Sequence, residues 1–423
     1  MIQTIGQNSE RNIGMKRTTL VFALIPLALF AAPQNTYQLK DAEPVKDVKA
    51  QSAAPAEKEI APGKTLSPDG KTVWWDGSLV PMEGKGFKDV KRFYDRMPAR
   101  LEQDGRVRRG VWSQCYHSSG ECFRFKLKGA ENFKVRWSLV SAGLAMGHMP
   151  STGVSGLDLY LKGKDGKWQF FQNARPNKQE GNVAEFGTYG NEAMLYLPLY
   201  NGPSKVEFGL PPGASFEPLG LRANGIGKPV VFYGTSITHG GCCSRPGLSF
   251  PAIVCRRLDV PLVNLGFSGN GRMESAMADY LGEVEASCYV LDCLWNMGSV
   301  YPTSDDDDLR AANVSNKVQL VTARFEPFVR RLRALRPNTP IVFAEQCDVF
   351  SSSPAPHDKV IHGVFEKLRA EGWKGLYYVS KEKMYVGDRE GTVDGCHPND
   401  WGMFSMADAF TPAVAEALGL KGR

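Results

Sequence analysis

The pattern of apolar and polar positions divides the chain into two kinds of segment. From about residue 70 to 222, short runs alternating apolar with polar recur between turn signals. Among them are Cys122-Phe123-Arg124-Phe125-Lys126-Leu127, Phe133-Lys134-Val135-Arg136-Trp137, Leu157-Asp158-Leu159-Tyr160-Leu161 and Lys205-Val206-Glu207-Phe208-Gly209-Leu210. Gly110-Val111-Trp112-Ser113, Trp168-Gln169-Phe170-Phe171 and Met194-Leu195-Tyr196-Leu197 extend the series. A period of two is that of a strand with one face buried. The separators, such as Lys164-Asp165-Gly166 and Tyr200-Asn201-Gly202-Pro203, are turn formers. Many short strands without a long helical pattern predict an all-β, jelly-roll-like sandwich over residues 69–224.

From about residue 225 the period changes. Apolar runs at 229–233, 261–265, 288–294, 340–344 and 375–379 read as strands, mostly without polar alternation, as expected for parallel strands covered on both faces. Between them, Leu320, Val321, Phe325, Phe328, Val329, Leu332 and Leu335 trace one helical stripe over 317–335, and 358–370 and 403–418 behave similarly. Alternating β and α over 225–423 predicts a doubly wound, three-layer, flavodoxin-like α/β domain with its functional residues at the carboxyl ends of the strands.

Composition adds the N-terminus and the compartment. Lys16-Arg17 precede an apolar run from Leu20 to Ala32 that is broken only by Pro26 and ends in small residues, so residues 1–32 read as a cleavable export signal, with Met15 an alternative start. Residues 33–68, rich in Ala, Pro, Lys, Glu and Gln, read as a flexible linker. The expected location is periplasmic or extracellular, with no membrane insertion once the signal is removed. A net charge of +6 with no basic stripe gives no support for a nucleic-acid partner. With nine cysteines, at least one is unpaired or pairs between chains; Cys115 and Cys122 could face each other across a hairpin, bridged or not, while Cys288, Cys293 and Cys347 sit in apolar runs as small hydrophobes. There is no Cys-x-x-Cys pair and the six histidines do not cluster, which argues against zinc. Asp305 to Asp308 lack the alternating spacing of a calcium loop.

The chemistry-bearing residues stand after the strands of the second segment. Ser236, in Gly234-Thr235-Ser236-Ile237-Thr238, follows the first strand; it is a candidate nucleophile, or else the cap of the next helix. Asn264-Leu265-Gly266-Phe267-Ser268-Gly269-Asn270-Gly271 follows the second, with a bare backbone suited to donating N–H groups to an anion. Asp292-Cys293-Leu294-Trp295-Asn296-Met297 ends the third and offers the Asn296 amide as a further donor. Near the C-terminus, Asp394-Gly395-Cys396-His397-Pro398-Asn399-Asp400 sets a carboxylate three residues before an imidazole, spaced to hold its tautomer and leave Nε2 free as a base. His239 is a weaker rival base, without an acid at short spacing. Trp295 and Arg245 are candidate pocket residues, against packing and ion-pair roles respectively. His148 is either a surface-loop residue or one that reaches across to the second domain.

These segments, in the order Ser236, Gly269, Asn296 and Asp394-x-x-His397, resemble the SGNH branch of the GDSL-type hydrolases over roughly 228–418. With an upstream sandwich they look more like the carbohydrate-esterase-like members than the plant lipases. Two positions depart from the family pattern: Thr235 stands where an acid usually precedes the serine, and Met297 where an Asp usually follows the asparagine. The resemblance implies a Ser236–His397–Asp394 acyl-enzyme mechanism and an oxyanion hole from the Ser236 and Gly269 amides and the Asn296 side chain. It implies no metal or cofactor. The expected substrate is an acylated glycan or small ester, and the expected product a deacetylated one. The alternatives are a thioesterase or lysophospholipase of the same fold, or a non-catalytic glycan-binding protein using Trp74, Trp75, Trp112, Trp137 and Trp168.

Overall fold

The computed structural model describes residues 56–298, 316–348, 351–385 and 388–420. The export segment, most of the linker and Asp305 to Asp308 lie outside the described residues.

Two antiparallel sheets form the N-terminal part. In spatial order, one contains Lys58–Ala61, Lys64–Leu66, Val73–Asp76, Pro203–Leu210, Asn132–Leu139 and Asn182–Gly187; the other contains Ser215–Glu217, Cys122–Lys128, Ala193–Tyr196, Leu157–Lys162 and Trp168–Ala174. Their inward residues, among them Phe123, Phe125, Phe133, Trp137, Leu159 and Phe208, make one core. The aromatic members meet edge to face or stacked, as with Phe123 against Phe208 at 4.8 Å. The alternating runs read from the sequence therefore become strands, with two departures. The first hairpin, Lys58–Leu66, falls in the stretch expected to be a linker, where Arg136 ties Glu57 to the sheet. Gly110-Val111-Trp112-Ser113 is not a strand but part of the short helix Arg109–Trp112, because Val111 is drawn into a different core.

That core belongs to the C-terminal part, a five-stranded parallel sheet of β1 (Val230–Gly234), β2 (Leu262–Gly266), β3 (Cys288–Asp292), β4 (Ile341–Ala344) and β5 (Leu376–Val379) in the order β2-β1-β3-β4-β5. The order reverses beside β1, which opens a crevice at the carboxyl ends of β1 and its neighbours. After β1 comes the single turn α1 (Ser236–His239), followed by α2 (Phe250–Leu258), α3 (Ser275–Glu283), α4 (Lys317–Leu335), α5 (Pro356–Ala370) and α6 (Asp400–Ala417). Helices α3, α4 and α5 cover one face and α2 and α6 the other. Helix α2 escapes a periodicity reading because it is short and seven of its nine residues are buried, and α3, with Ser275, Asp279 and Glu283 on its open face, is only nine residues long. Among the described residues, no helix is long and apolar enough to cross a membrane.

The two parts share their cores. Phe87, Met97, Leu101, Val107, Val111 and Cys115, all within the span assigned to the sandwich, pack with α3 and α4 against the parallel sheet. Cys115 is thereby separated from Cys122, which opens a sandwich strand; both are buried and free, so no bridge joins them. Arg96, 2% exposed, donates from Nη1 to the carbonyls of Asn264 and Gly266, both at 2.9 Å, at the end of β2. Beneath α1, the His117 and His239 rings lie 5.0 Å apart, and His239 stacks on Tyr200 at 4.1 Å.

Burial, with the Arg96 charge acting in the same direction, lowers both imidazoles, His117 to about 3. The folded values lie below that of the unfolded chain, so between about pH 6.5 and 3 the unfolded state binds protons that the native state refuses. This stability is complete at neutral pH and is lost as pH falls; for His117 the loss at pH 4 is roughly 3 kcal/mol. Urea denaturation at pH 7 and pH 4 should show the decline, and His117→Gln should make it shallower. An identical pH slope in the variant would remove His117 from the account.

Candidate active site

Ser236 is the first residue of α1, immediately beyond β1, and is half-buried while the rest of the turn is buried. The capping role falls to Thr235, whose Oγ1 accepts from Ile237 N at 3.2 Å, and this leaves Ser236 Oγ free of the helix end. Thr235 thus has a local task at the position where the family pattern has an acid. From below, Thr238 Oγ1 donates to Asp292 Oδ2 at 2.8 Å, which ties α1 to the end of β3. Burial pushes the Asp292 carboxyl up to about 6.

The Ser236 hydroxyl lies 2.9 Å from His397 Nε2, and His397 Nδ1 lies 2.8 Å from Asp394 Oδ2. The other Asp394 oxygen accepts from the amides of Cys396, at 3.0 Å, and His397, at 2.7 Å. Burial alone would raise this carboxyl, but the hydrogen bonds outweigh it and hold it at about 2, so it is an anion across the working pH range. An anion at Nδ1 keeps the proton there and leaves the Nε2 lone pair for the serine. The loop is held from behind. Asn399 caps α6 through Gly402 N at 3.1 Å, and Asp400 accepts from Ser244 N at 2.8 Å and Ser244 Oγ at 2.5 Å.

The strand-end loops after β2 and β3 meet the same crevice. Asn296 Oδ1 accepts from Gly271 N at 3.1 Å, which orients the amide and leaves its NH₂ end as the donor. Gly271 is required by close approach: a Cβ there would lie 2.1 Å from the Gly234 carbonyl at the end of β1. Met297, fully buried, offers no carboxylate to hold Asn296, and the Gly271 amide does so from the other side. Gly269 has φ +72 and open space where a side chain would go, so its demand is conformational.

The residues that brace this loop are absent from the sequence reading. Gln114 receives Ser268 N at 2.7 Å and donates to Ser268 O at 2.8 Å, pairing with the backbone next to Gly269 like a strand. Tyr200 donates to the Ser236 carbonyl at 3.3 Å and shares a 2.8 Å hydrogen bond with Ser268 Oγ. Both come from the N-terminal part, and neither carries a motif. Tyr200 appears in the sequence only as part of a turn signal.

Of the weaker candidates, His239 is fully buried and its Nε2 lies 2.8 Å from the Leu199 carbonyl, which makes it a packing residue. Arg245 does not face the crevice as a pocket cation: Nη1 binds Asp158 at 2.9 Å and Tyr160 OH at 2.7 Å, and the guanidinium lies 3.7 Å over Phe170. Asp158, wholly buried, needs that partner. Trp295 is half-buried and donates to the Cys347 carbonyl at 2.8 Å, which fixes its ring beside Asn296. The tryptophans proposed for glycan binding do not form one platform: Trp137 is in the sandwich core, Trp74 is buried, and Trp168 donates to Asp259 at 3.0 Å.

A serine, an imidazole and a carboxylate are joined by hydrogen bonds at the strand ends of a doubly wound sheet, the residue types and contacts that acyl transfer to a serine requires. Residues 227–415 match the GDSL-like lipase/acylhydrolase family, and residues 72–216 match the N-terminal segment of SGNH-hydrolase-type esterases. The chain belongs to this SGNH/GDSL family of ester-cleaving enzymes. Among solved structures, it is similar to a protein of Bacteroides ovatus designated GDSL-like lipase, with 27% identity and a TM-score of 0.68 over 82% of this chain and 98% of that one. It also resembles the salicylyl-acyltransferase SsfX3 of a tetracycline biosynthetic pathway (18% identity, TM-score 0.63, 82% and 98% covered). A family two carbohydrate esterase from Clostridium thermocellum, solved with cellohexaose, shares the fold at 13% identity and TM-score 0.50, with 71% and 93% covered. No match was found among curated proteins.

Two substitutions separate bracing from substrate contact. Gln114→Ala should lower kcat by about 10- to 100-fold by loosening the backbone at Ser268, with a cooperative unfolding transition retained; unchanged kcat would show that the loop holds itself. Arg245→Leu should cost about 3 kcal/mol of stability by leaving buried Asp158 with the Gly247 amide but without its ion-pair partner, while kcat/KM on a small neutral ester stays within about twofold, inside the tenfold that 1.4 kcal/mol would represent. Intact stability with impaired turnover would return Arg245 to the pocket.

Proposed function

We propose that the protein is an exported serine esterase that removes acetyl or other small acyl groups from carbohydrate. The observation that carries the ester chemistry is the continuous chain from Ser236 Oγ through His397 to Asp394, at 2.9 and 2.8 Å. In this reading, His397 Nε2 takes the serine proton as Oγ attacks the ester carbonyl, and Asp394 stabilises the imidazolium. The tetrahedral oxyanion is met by the backbone N–H groups of Ser236 and Gly269 and by the Asn296 NH₂. Collapse expels the alcohol with the proton from His397. Water, deprotonated by the same imidazole, then releases the acid. Ser236 N suits the oxyanion role because it opens a helical turn and has no intrahelical acceptor.

The carbohydrate part draws on different support. The fold is shared with the family two carbohydrate esterase solved with cellohexaose, in which an ester-cleaving chain also engages a glycan. The N-terminal part also supplies residues to the site. Export rests on the signal-like pattern of residues 1–32.

The test uses 4-nitrophenyl esters from acetate to octanoate and a panel of acetylated polysaccharides. Activity should be highest on acetate and extend to acetylated glycans. Ser236→Ala should lose about 10⁴-fold or more in kcat and Asp394→Asn about 10²- to 10⁴-fold. Turnover that survives Ser236→Ala would sink the serine mechanism, and a preference for octanoate would sink the small-acyl assignment.

A further inference from the structure

His148 stands with its ring centroid 5.9 Å from that of His397, inclined at 49°. It comes from the N-terminal part, 249 positions earlier by number (397 less 148), and its side chain is exposed, so burial of the imidazole does not explain its place. The segment that carries it is built to hold it there. Met146 and Met149 exchange both backbone hydrogen bonds, at 3.0 and 3.1 Å, which makes His148 part of a closed turn. Met149 is 2% exposed and anchors the turn in the core shared with α2 and α6. Asn201, also 2% exposed, pairs with the Ser141 backbone at 2.9 and 2.8 Å at the start of the segment.

The far side of the turn reaches the catalytic loop through one shared element. Thr152 Oγ1 donates to the Ser244 carbonyl at 2.5 Å, and Gly153 lies so close that a Cβ would be 2.2 Å from the Cys243 carbonyl. Ser244 in turn donates from N and Oγ to Asp400, three residues after His397. The segment that follows the His148 turn and the segment that follows His397 are therefore both pinned to Ser244, which ties the two backbones together.

Resting on the esterase reading above, we infer that His148 is a substrate-contacting residue that recognises the alcohol portion of the ester. The chemistry places that portion here. His397 Nε2 hands its proton to the departing alkoxide, so the alcohol must lie beside the His397 ring, away from the oxyanion donors on the loops after β2 and β3. A neutral imidazole has one donor and one acceptor nitrogen and can bridge neighbouring hydroxyls. The partner that uses both is a polyhydroxylated alcohol, such as a sugar ring with free hydroxyls near the acylated one; a simple aryl or alkyl alcohol uses neither. The sandwich thus supplies specificity for the leaving group as well as support.

The experiment compares kcat/KM on two acetates in the full-length protein: 4-nitrophenyl acetate and a mono-acetylated xylo-oligosaccharide. His148→Ala and His148→Phe should lower the sugar-to-aryl ratio of kcat/KM by about tenfold, the size of a lost neutral hydrogen bond or two, chiefly through KM. His148→Gln, which keeps a donor and an acceptor, should recover most of the ratio. An unchanged ratio in His148→Ala overturns the inference, and so does an equal fall in kcat on both substrates, which would make His148 a residue acting through His397. Wild-type protein that cleaves the aryl acetate and no acetylated sugar overturns the carbohydrate reading and this inference together, a result separable from the two before it.

Discussion

A buried guanidinium governs how this molecule is put together. Arg96 is removed from water with its charge, and burial lowers its affinity for the proton, to about 10. The cost of such a group is tolerable only where its donors are used. Nη1 donates to the carbonyls of Asn264 and Gly266 on β2 and Nη2 to that of Gln114 in its own part of the chain, while the buried Nε has no partner among the described residues. Strand β2 is the edge of the parallel sheet, so carbonyls on its outer side have no neighbouring strand to pair with. The requirement to pair a charge and the requirement to pair edge-strand carbonyls are met by the same contact, and that contact fixes the N-terminal part against the edge of the sheet that bears the site.

Once this contact is made, the rest of the site has little freedom. The stretch from Arg96 to Gln114 delivers the Gln114 amide to Ser268, and the turn between the strands Ala193–Tyr196 and Pro203–Leu210 delivers Tyr200 to Ser268 and to the Ser236 carbonyl. The Gly269 loop is therefore held at Ser268 by two residues from outside the α/β domain and at Gly271 by Asn296 from within it. On the other side of Ser236, the His397 loop is held by its own Asp394 and by Ser244. The Ser236 turn sits between two loops that are each braced by residues distant in sequence, and this arrangement suits the proposed oxyanion donors, which must be in place before charge develops.

The legible parts of the site are those whose geometry is local. Asp394 and His397 are three residues apart and meet within one loop, and Ser236 follows directly from an apolar strand. Helix α4 shows a clean stripe because only one of its faces is buried. Helix α2 shows little of one because seven of its nine positions are buried, and the stripe of α3, opposite Ser275, Asp279 and Glu283, runs for only nine residues. The same reasoning explains Gly110–Ser113: its apolar residues were real, but Val111 serves the core beneath α3 and α4, and the local chain turns as a helix to reach it. Arg245 had the residue type of an anion-binding pocket, and only its distance to Asp158 reveals an ion pair between the two parts.

By itself the sequence determined the strand–helix alternation, the order of the functional blocks and the pairing of acid with imidazole. Each depends on interactions across a few residues or on the period of burial. The tertiary structure alone decided which distant side chains hold those blocks in register. Gln114 and Ser268 are separated by 154 residues, and Arg96 and Asn264 by 168, and no periodicity or spacing relates them. It also decided between the two readings the sequence left open for His148, a surface loop or a reach across to the second domain, by standing its ring beside that of His397. The physical reason is that buried polar groups must find partners wherever the fold brings them, and proximity in a folded chain is set by how its cores pack.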